Sequence, residues 1–451
     1  QGMEPMDVIG RVNMPLFAKV LRYMDLARKH DIRFMLTIHE DYAKPAYYNQ
    51  RALETFCLPQ YEGENLDALP PYQRRFIRDR KLIGVIGEKY TDPDVMACQD
   101  QYTRQLVGLL KDNPQLFAWE FENEMVDCPQ SWAQHMATVI RAADPVTPIC
   151  ASHGGGGLNT ADPLWWTKNA GVDFYTYHLY PHRASTSAEV DFGAAADVLT
   201  TYGRMAGLCM FGETAGDEFG YYPKEREADR RYIMRDLIWF SLVNGNPGCF
   251  FWNARGFEVE QFRLAGKVMA TLDLSHWQRP PASVGIVVDH PWTDDKYYRT
   301  PQGQADYWMM GRLAQHYRSR GESFDFAMEP TGYPATATLK EFKPVPGAGP
   351  CASGPGWQVA TMQDQTGQGL AYIRNFAGIR EWAVPNRCDM FLRDRKPAPL
   401  VLTFALPGVK VTATATDLDT GEEKRVEIAG NGSLDLGTTE HDWAVVWRTA
   451  Q

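Results

Sequence analysis

The sequence predicts an α/β protein that begins with a parallel (β/α)8-type barrel and continues into a small α/β appendage and a C-terminal antiparallel β-sandwich. Three observations predict this class. Strand and helix signals alternate strictly between residues 13 and 278. The six strand-like segments in that stretch end in polar or aromatic residues, as in barrels whose site lies at one rim. From residue 357 onward the hydrophobic period changes to two, which indicates short antiparallel strands.

In the first part of the chain each predicted element has a local signal. Asn13 can cap a helix with Pro15 in its first turn, and Asp92-Pro93 opens another. The connection 41–92 is too long for a simple loop and is predicted to shape the site. Strands are predicted at 32–38, 116–121, 147–152, 172–177, 208–212 and 248–251, and further helices at 131–143, 188–205, 225–242 and 260–272.

The second part contains a short βαβ-like piece and then only strands. Strands at 284–288 and 323–328 flank a helix at 306–319, and the stretch 335–356, rich in Pro, Gly and Ala, is interpreted as a linker. The sandwich strands are predicted at 358–362, 369–375, 400–406, 411–417, 424–428 and 443–448. The predicted domains are a barrel at 1–278, a small α/β domain with linker at 279–345, and a sandwich at 346–451.

Composition excludes several classes of function. The chain has 451 residues and a formal net charge of -10, which disfavours a nucleic-acid surface. No apolar run approaches 18 residues, so no membrane span is expected, and residues 1–15 lack the pattern of a signal peptide. The eight cysteines form no C-x-x-C pair, so neither a zinc site nor a redox motif is expected. We expect no metal and no cofactor.

Two carboxylates at strand ends are the main functional signal. Glu124 closes the run Trp119–Glu124, and Glu213 follows the apolar run 208–211. A buried carboxylate is costly unless it has a role, and in parallel barrels the chemistry lies at the carboxyl ends of the strands. Two such groups suggest an acid/base and nucleophile pair, as in glycoside hydrolysis.

An open doubly wound sheet is the alternative fold, but the run Gly154–Gly157 matches no phosphate-binding loop.

These motifs together resemble clan A of the retaining β-glycoside hydrolases, nearest in type to glycoside hydrolase family 5. The resemblance rests on Trp-Glu-x-x-Asn-Glu at residues 119–124, His-x-Tyr at 178–180 and Gly-Glu at 212–213, and it covers about residues 13–278. It implies a TIM (β/α)8-type barrel in which Glu124 follows the fourth strand and Glu213 the seventh.

The resemblance also implies roles for single residues. Glu124 would be the general acid/base and Glu213 the nucleophile, without metal or cofactor. The implied substrate-binding residues are Asn123 at the sugar 2-hydroxyl, His178 and Tyr180 lining the pocket, and Trp252 as a platform under the sugar. His39 and His153 also end strands and are candidates for substrate binding.

Several neighbours have structural interpretations. Period two would point Glu120, Glu122 and Glu124 to one face of their strand, with Glu120 as a buried structural carboxylate and no role assigned to Glu122. The aromatic pairs Trp165-Trp166 and Tyr221-Tyr222 would either build outer subsites or pack in the core.

By the motif count, the first two barrel strands are not in this sequence. The sequence is then an N-terminally incomplete chain, or a companion chain completes the barrel, or the piece at 284–328 replaces them as a permuted element. A homo-oligomer is a further candidate assembly. Localisation stays unknown, since only the habit of the family favours secretion or the periplasm.

The predicted function is a retaining β-glycoside hydrolase acting on β-linked hexosides such as galactosides, mannosides or glucosides. An endo-acting β-mannanase or glucanase, a transglycosylase and a catalytically idle carbohydrate-binding barrel are the alternatives.

Overall fold

The computed structural model describes two compact units of the chain, formed by residues 1–154 with 165–176 and by residues 155–164 with 177–451. The described residues are all except 1–4, 40–44, 126–127, 154–161, 180–191, 215–229, 247, 252–255, 273, 291–296, 378–394, 407, 430 and 450–451. Among them, no helix has the length and apolar character that crossing a membrane would require.

The first unit alternates helices with parallel strands. Its helices are α1 (Met14–Arg28), α2 (Gln50–Ala52), α3 (Pro71–Ile77), α4 (Pro93–Leu110) and α5 (Gln130–Ala143). Its strands are β1 (Phe34–His39), β2 (Leu116–Glu122) and β3 (Ile149–His153), in the order β1-β2-β3. Helix α6 (Pro163–Asn169) and strand β4 (Phe174–His178), which follows β3 in the sheet, each have residues in both units.

The predicted helix starts are confirmed. The Asn13 side chain accepts a hydrogen bond from the Leu16 amide, and Asp92 caps α4 through the amides of Asp94 and Val95. Each helix has proline in its first turn, where the missing amide hydrogen costs nothing.

The connection 45–90 is an ordered helical layer. It contains a π turn at Leu53–Cys57 and 3₁₀ turns at Leu58–Tyr61, Leu66–Ala68 and Ile86–Tyr90. Its apolar side chains share a core with Val8, Ile9, Val95 and Cys98. The segment therefore belongs to the first unit and delivers Lys89 and Tyr90 to the interior, where both are buried.

A tight hairpin joins Asp7 to Val12 and lies against this layer. Ile9 and Gly10 both have positive φ angles, 56° and 80°, and the Tyr61 hydroxyl donates to the Val8 and Ile9 carbonyls. The Gly10 amide donates to Asp7 Oδ1 over 2.7 Å, which opposes the effect of burial on that carboxyl. Burial prevails and raises the pKa of Asp7 to about 7.

The second unit contains the remaining helices and strands. Its helices are α7 (Phe192–Gly203), α8 (Arg230–Val243), α9 (Gly256–Met269) and α10 (Pro301–Ser319). Its strands are β5 (Leu208–Glu213), β6 (Val284–Val287), β7 (Phe324–Ala327), β8 (Ala335–Thr338), β9 (Cys351–Ala352), β10 (Trp357–Gln363), β11 (Gly369–Asn375), β12 (Ala398–Phe404), β13 (Lys410–Asp417), β14 (Glu423–Ala429), β15 (Ser433–Thr439) and β16 (Trp443–Thr449).

Two antiparallel sheets form the C-terminal part, as predicted. Their strand orders are β10-β11-β16-β13-β14 and β15-β12-β9. Side chains from both sheets, including Trp357, Leu402 and Trp447, share one buried core. The alternating burial along β12 explains why the period of two was readable from the sequence.

A small parallel sheet with the order β7-β6-β8 precedes them. Val284–Val287 pairs with Phe324–Ala327 on one side and with Ala335–Thr338 on the other. The interpretation of 335–356 as a linker is therefore wrong at both ends, since β8 completes this sheet and β9 pairs with β12. Four-residue strands of small residues carry too little hydrophobic pattern to be recognised in a Pro- and Gly-rich context.

One predicted strand is also wrong. In place of a strand at 248–251, the described residues form an isolated bridge between Cys249 and Phe211, with the Phe250 amide donating to the Phe211 carbonyl. Parallel strands and antiparallel sheets thus confirm the mixed class, while the domain boundaries stay predictions.

Candidate active site

Strand β2 carries Glu120 and Glu122 and leads to Glu124 just beyond its carboxyl end. Its side chains are almost all buried, and Trp119 anchors it by donating from Nε1 to Asp144 Oδ2 over 3.0 Å. Parallel pairing with β1 places Thr37 opposite Glu120 and His39 opposite Glu122. The strand ends at Glu122, and a turn carries Asn123 and Glu124.

Glu124 sits in an unusual backbone conformation. Its φ angle is +50°, in the left-handed region that residues with a Cβ atom rarely adopt. Such conformations cost about 1–3 kcal/mol and persist where surrounding structure determines them. Strand β2 ends at Glu122, so the period of two on which the prediction of a shared face for Glu120, Glu122 and Glu124 rests does not extend to Glu124.

Ser152 on β3 holds this turn. Its hydroxyl oxygen accepts a hydrogen bond from the Glu124 amide over 3.1 Å, and the hydroxyl donates to the Glu122 carbonyl over 3.4 Å. The Met125 amide donates to the Ser152 carbonyl over 3.1 Å. Ser152 is fully buried, and Glu124 is only 5% exposed. A single side chain thus fixes both ends of the strained turn.

Glu122, which had no predicted role, forms a buried ion pair. Its Oε1 contacts the Lys89 ammonium, and its Oε2 accepts from the Tyr90 hydroxyl over 3.1 Å. All three residues are buried. Sequence reasoning missed Lys89 and Tyr90 because they lie in the long connection, where no periodic pattern marks them.

Glu120 is a structural carboxylate, as predicted. It is buried, and its Oε2 accepts from the Thr37 hydroxyl over 2.5 Å on the neighbouring strand. This pairing follows from the register of β1 and β2, because side chains of directly opposed residues on the same face meet.

His39 and His153, both candidates for substrate binding, lie inside the first unit. Burial and the Lys89 charge lower the pKa of His39 to about 3, so its imidazole is neutral. Its Nε2 lies 3.2 Å from the Thr103 hydroxyl. His153 packs on Trp166, with ring centroids 4.8 Å apart, and is 4% exposed. Their proposed contact with substrate stays a prediction.

Trp165 and Trp166 are packing residues rather than outer subsites. They are 6% and 0% exposed and contact each other edge to face, with ring centroids 5.1 Å apart. Four further predicted residues lie outside the part of the chain that the structure describes, namely Tyr180, Tyr221, Tyr222 and Trp252. Asn123, predicted to bind the sugar 2-hydroxyl, is half-buried.

The second unit brings His178 and Glu213 together. His178 ends β4 and Glu213 ends β5, and His178 Nδ1 lies 3.5 Å from Glu213 Oε2. The Leu179 amide donates to the Glu213 carbonyl over 3.1 Å, and the buried Thr214 hydroxyl donates to the Leu179 carbonyl over 2.6 Å. The His178 side chain is 2% exposed, whereas the Glu213 side chain is 23% exposed. The Glu213 backbone is thus held by the Leu179 amide, while the Glu213 side chain is partly exposed to solvent.

An acidic cluster in the C-terminal sheets has the residue types of a metal site. Ligand atoms of Asp417, Asp419 and His441 all lie within 4.8 Å of one another. However, Asp419 already pairs with Arg235 at 3.0 Å and Arg395 at 3.1 Å, and His441 contacts Asp417 at 2.7 Å. These guanidinium partners make the cluster an ion-pair network that ties α8 to the β13–β14 turn.

Comparisons with known proteins find similarity to proteins that are named as glycosidases. No family model matches it. It is 29% identical over 205 residues to mannan endo-1,4-beta-mannosidase 4 of Oryza sativa, covering 36% of this chain and 41% of that protein. A probable mannan endo-1,4-beta-mannosidase F of Emericella nidulans is 28% identical over 123 residues, covering 23% of this chain and 28% of that protein. The chain thus spans less than half the length of these curated relatives.

The solved structures that are similar to this chain include glycoside hydrolases. A beta-galactosidase from Rahnella sp. R3 aligns over 98% of this chain and 91% of its own, with 9% identity and a TM-score of 0.49. A glycoside hydrolase family 5 structure from Bacteroides vulgatus aligns over 78% of this chain and 66% of its own, with 11% identity and a TM-score of 0.41.

Proposed function

We propose that the chain is a family 5-like member of the clan A glycoside hydrolases, to whose similar proteins it is up to 29% identical, and that it is a retaining β-glycoside hydrolase in which Glu213 is the nucleophile and Glu124 the general acid/base. The observation that carries the division of roles is the difference in environment between the two carboxylates. Glu124 is 5% exposed, whereas the Glu213 side chain is 23% exposed and faces an imidazole.

Environment decides which carboxyl keeps its proton. Burial disfavours the charged form, so Glu124 is suited to start protonated and to protonate the glycosidic oxygen. The Glu213 side chain is 23% exposed and lies 3.5 Å from His178 Nδ1, so it is accessible to attack the anomeric carbon. His178 then orients the attacking oxygen.

The reaction proceeds by double displacement. Glu213 forms a covalent glycosyl-enzyme while Glu124 gives its proton to the leaving group. Glu124, now ionised, takes a proton from water, which attacks the anomeric carbon from the side that the leaving group vacated, and the bond from the sugar to Glu213 breaks to release the Glu213 carboxylate. The mechanism requires the two carboxyls to lie about 5 Å apart and yields a sugar of retained configuration.

The remaining predicted roles complete the proposal. Asn123 would bind the sugar 2-hydroxyl, and Tyr180 and Trp252 would line the pocket, with His39 and His153 as further candidates. We also propose that β1–β5 belong to a closed (β/α)8-type barrel. Further strands from a companion chain or segment would complete that barrel, with a homo-oligomer as the other candidate assembly.

The substrate proposed is a β-linked hexoside. The curated relatives are named mannan endo-1,4-beta-mannosidases, which favours mannosides and makes endo-action on mannan the second candidate. A catalytically idle carbohydrate-binding barrel is the third reading, and it would require that neither carboxylate contributes to turnover.

Aryl β-glycosides of mannose, galactose and glucose, followed by β-mannan, would test this proposal. We expect hydrolysis with retention of the anomer by proton NMR, and a loss of several orders of magnitude in turnover for Glu213→Ala. Glu423→Ala, at an exposed carboxylate on β14, is the control and should keep normal activity. Inversion, or full activity of Glu213→Ala, would refute the assignment.

A further inference from the structure

The small parallel sheet of the second unit has a crevice at the carboxyl ends of its strands. Strand β6 is central, and the chain continues through α10 to β7 on one side before β8 pairs on the other. The strand order therefore reverses between β6 and β8. In open parallel sheets, ligands bind outside the carboxyl ends of the strands at such a reversal.

A cavity of about 380 Å³ lies at this point. Its lining comes from the residues at the ends of the two strands and from the first turns of α10. The lining residues are Val287, Asp289, Tyr297, Gln302, Asp306, Thr338, Leu339 and Lys340. The volume falls within the range of about 300–1,000 Å³ that is common for small-molecule sites.

The polar groups of the crevice are fixed by one another. Asp306, 7% exposed, accepts from the Tyr297 hydroxyl over 2.7 Å and from Gln302 Nε2 over 2.8 Å. Burial and the Asp306 carboxylate raise the pKa of Tyr297, so its hydroxyl stays protonated. The Tyr297 ring stacks on the buried His290, with centroids 4.4 Å apart and planes inclined by 13°.

This arrangement leaves hydrogen-bonding capacity for a ligand. The Gln302 amide oxygen has no partner within the described part of the chain, and a carboxylate accepts more than the two bonds that Asp306 receives. Gln302 is exposed, whereas Asp306, to which it donates, is buried and Tyr297 is half-buried. The crevice therefore presents oriented acceptors beside an aromatic ring.

Charge excludes the phosphate ligands that often occupy strand-order reversals. Asp289 and Asp306 outnumber Lys340, and Lys340 lies 3.5 Å from Asp289 at the exposed rim. The residues that follow β6, Val288, Asp289 and His290, include no glycine, whereas phosphate-binding loops at this position are glycine-rich. A neutral ligand that donates hydrogen bonds suits the site better.

We propose that this crevice binds a neutral sugar, one or two rings in size, through Gln302, Asp306 and the Tyr297 ring. Carboxylates and amides accept from sugar hydroxyls, and an aromatic ring packs on the apolar face of a pyranose. The inference goes beyond the proposed function, because it assigns a sugar site to a part of the chain that carries neither Glu124 nor Glu213.

The test is calorimetric titration of the whole protein with methyl β-glycosides of mannose, galactose and glucose and, separately, with inorganic phosphate. We expect one of the glycosides to bind and phosphate not to bind. Gln302→Leu, which removes a polar contact, and Tyr297→Ala, which removes the ring, should each raise the dissociation constant at least tenfold. Gln302→Leu should also hydrolyse aryl β-glycosides like the unmodified protein, since its change lies outside the proposed catalytic residues.

Gln50→Leu is the matched control. Gln50 is exposed on a helix and donates to Glu54 four residues on, as Gln302 does to Asp306, but it lies in the first unit. It should change the dissociation constant less than twofold. Equal binding by Gln302→Leu and the unmodified protein, binding of phosphate instead, or no glycoside binding would overturn the proposal. Absence of hydrolysis would contradict only the proposed catalytic function, since the change in dissociation constant caused by Gln302→Leu reports on the crevice separately.

Discussion

At the scale of single residues, the left-handed backbone of Glu124 is held by a hydrogen bond to the buried Ser152 hydroxyl. The Glu124 amide donates to the Ser152 hydroxyl, so removing that hydroxyl takes away a buried hydrogen-bond acceptor of this amide. An unsatisfied buried amide costs about 1–3 kcal/mol, which is comparable to the strain that the turn already carries. Ser152 is thus a positioning residue that acts through the backbone of the proposed acid/base.

Ser152→Ala is expected to lower kcat at least tenfold while KM changes less than twofold. The reason is that the Glu124 carboxyl loses its alignment with the leaving group, whereas the sugar contacts remain. Ser152→Thr keeps the hydroxyl and should recover most of the kcat. Steady-state kinetics on an aryl β-glycoside would measure this.

Ser241→Ala is the control for loss of a buried hydroxyl. Ser241 is fully buried, and its hydroxyl has no hydrogen-bond partner within the described residues. Its replacement should leave kcat unchanged. If Ser152→Thr were as impaired as Ser152→Ala, packing rather than the hydroxyl would be responsible.

At the scale of elements, the connection 45–90 stabilises β2 by placing the buried Lys89 ammonium beside Glu122. Lys89 and Glu122 compensate each other, with side chains 4% and 2% exposed. Breaking a buried pair by removing one partner typically costs about 3–5 kcal/mol, because the other charge stays buried. Replacing both partners costs much less.

We therefore expect Lys89→Met and Glu122→Gln each to lower the free energy of unfolding by about 3–5 kcal/mol. The double variant should regain at least half of that loss. Urea unfolding of the three variants gives the coupling between the residues.

The exposed pair Lys267–Glu423 provides the comparison. Its charged atoms are 2.9 Å apart, but its side chains are 53% and 46% exposed. Lys267→Met should cost less than about 1 kcal/mol. Additive losses in the Lys89/Glu122 double variant would contradict the pairing argument.

Strands and helix caps could be predicted from the sequence, whereas contacts between residues distant in sequence could not. The runs before Glu124 and Glu213 predicted β2 and β5 because burial makes such runs apolar, and the helix caps at Asn13 and Asp92 are local signals. The turn at Glu124 could not be predicted, because it depends on Ser152, which lies 28 residues further on. Lys89 was missed for the same reason, since its partner Glu122 is 33 residues away.

At the scale of the whole molecule, two buried groups of the first unit oppose each other in the pH dependence of stability. Burial raises the pKa of Asp7 from 3.8 to about 7, so the folded protein holds a proton there that the unfolded chain releases. His39, with its pKa lowered to about 3, behaves in the opposite way. The Asp7 contribution is present below pH 4 and is lost as pH rises through 7.

Asp7→Asn should therefore be increasingly more stable than the unmodified protein between pH 4 and pH 7. The gain should be at most about 1.4 kcal/mol per pH unit and constant above pH 7. Unfolding by urea at pH 4, 5.5, 7 and 8 would measure it. Asp25→Asn, at an exposed carboxylate that pairs with Arg28, should give a flat difference. A flat difference for Asp7→Asn would contradict the assignment.

The strained turn at Glu124 also bears on how this protein can evolve. Glycine accepts a φ angle of +50° without cost and asparagine accepts it more readily than glutamate does, so either would relax the backbone. Selection for heat tolerance alone should therefore enrich these residues at position 124 and discard the carboxyl group. If Glu124 is the acid/base, as proposed, activity rather than folding requires glutamate at this position, and thermostable libraries of this protein need an activity screen at every round.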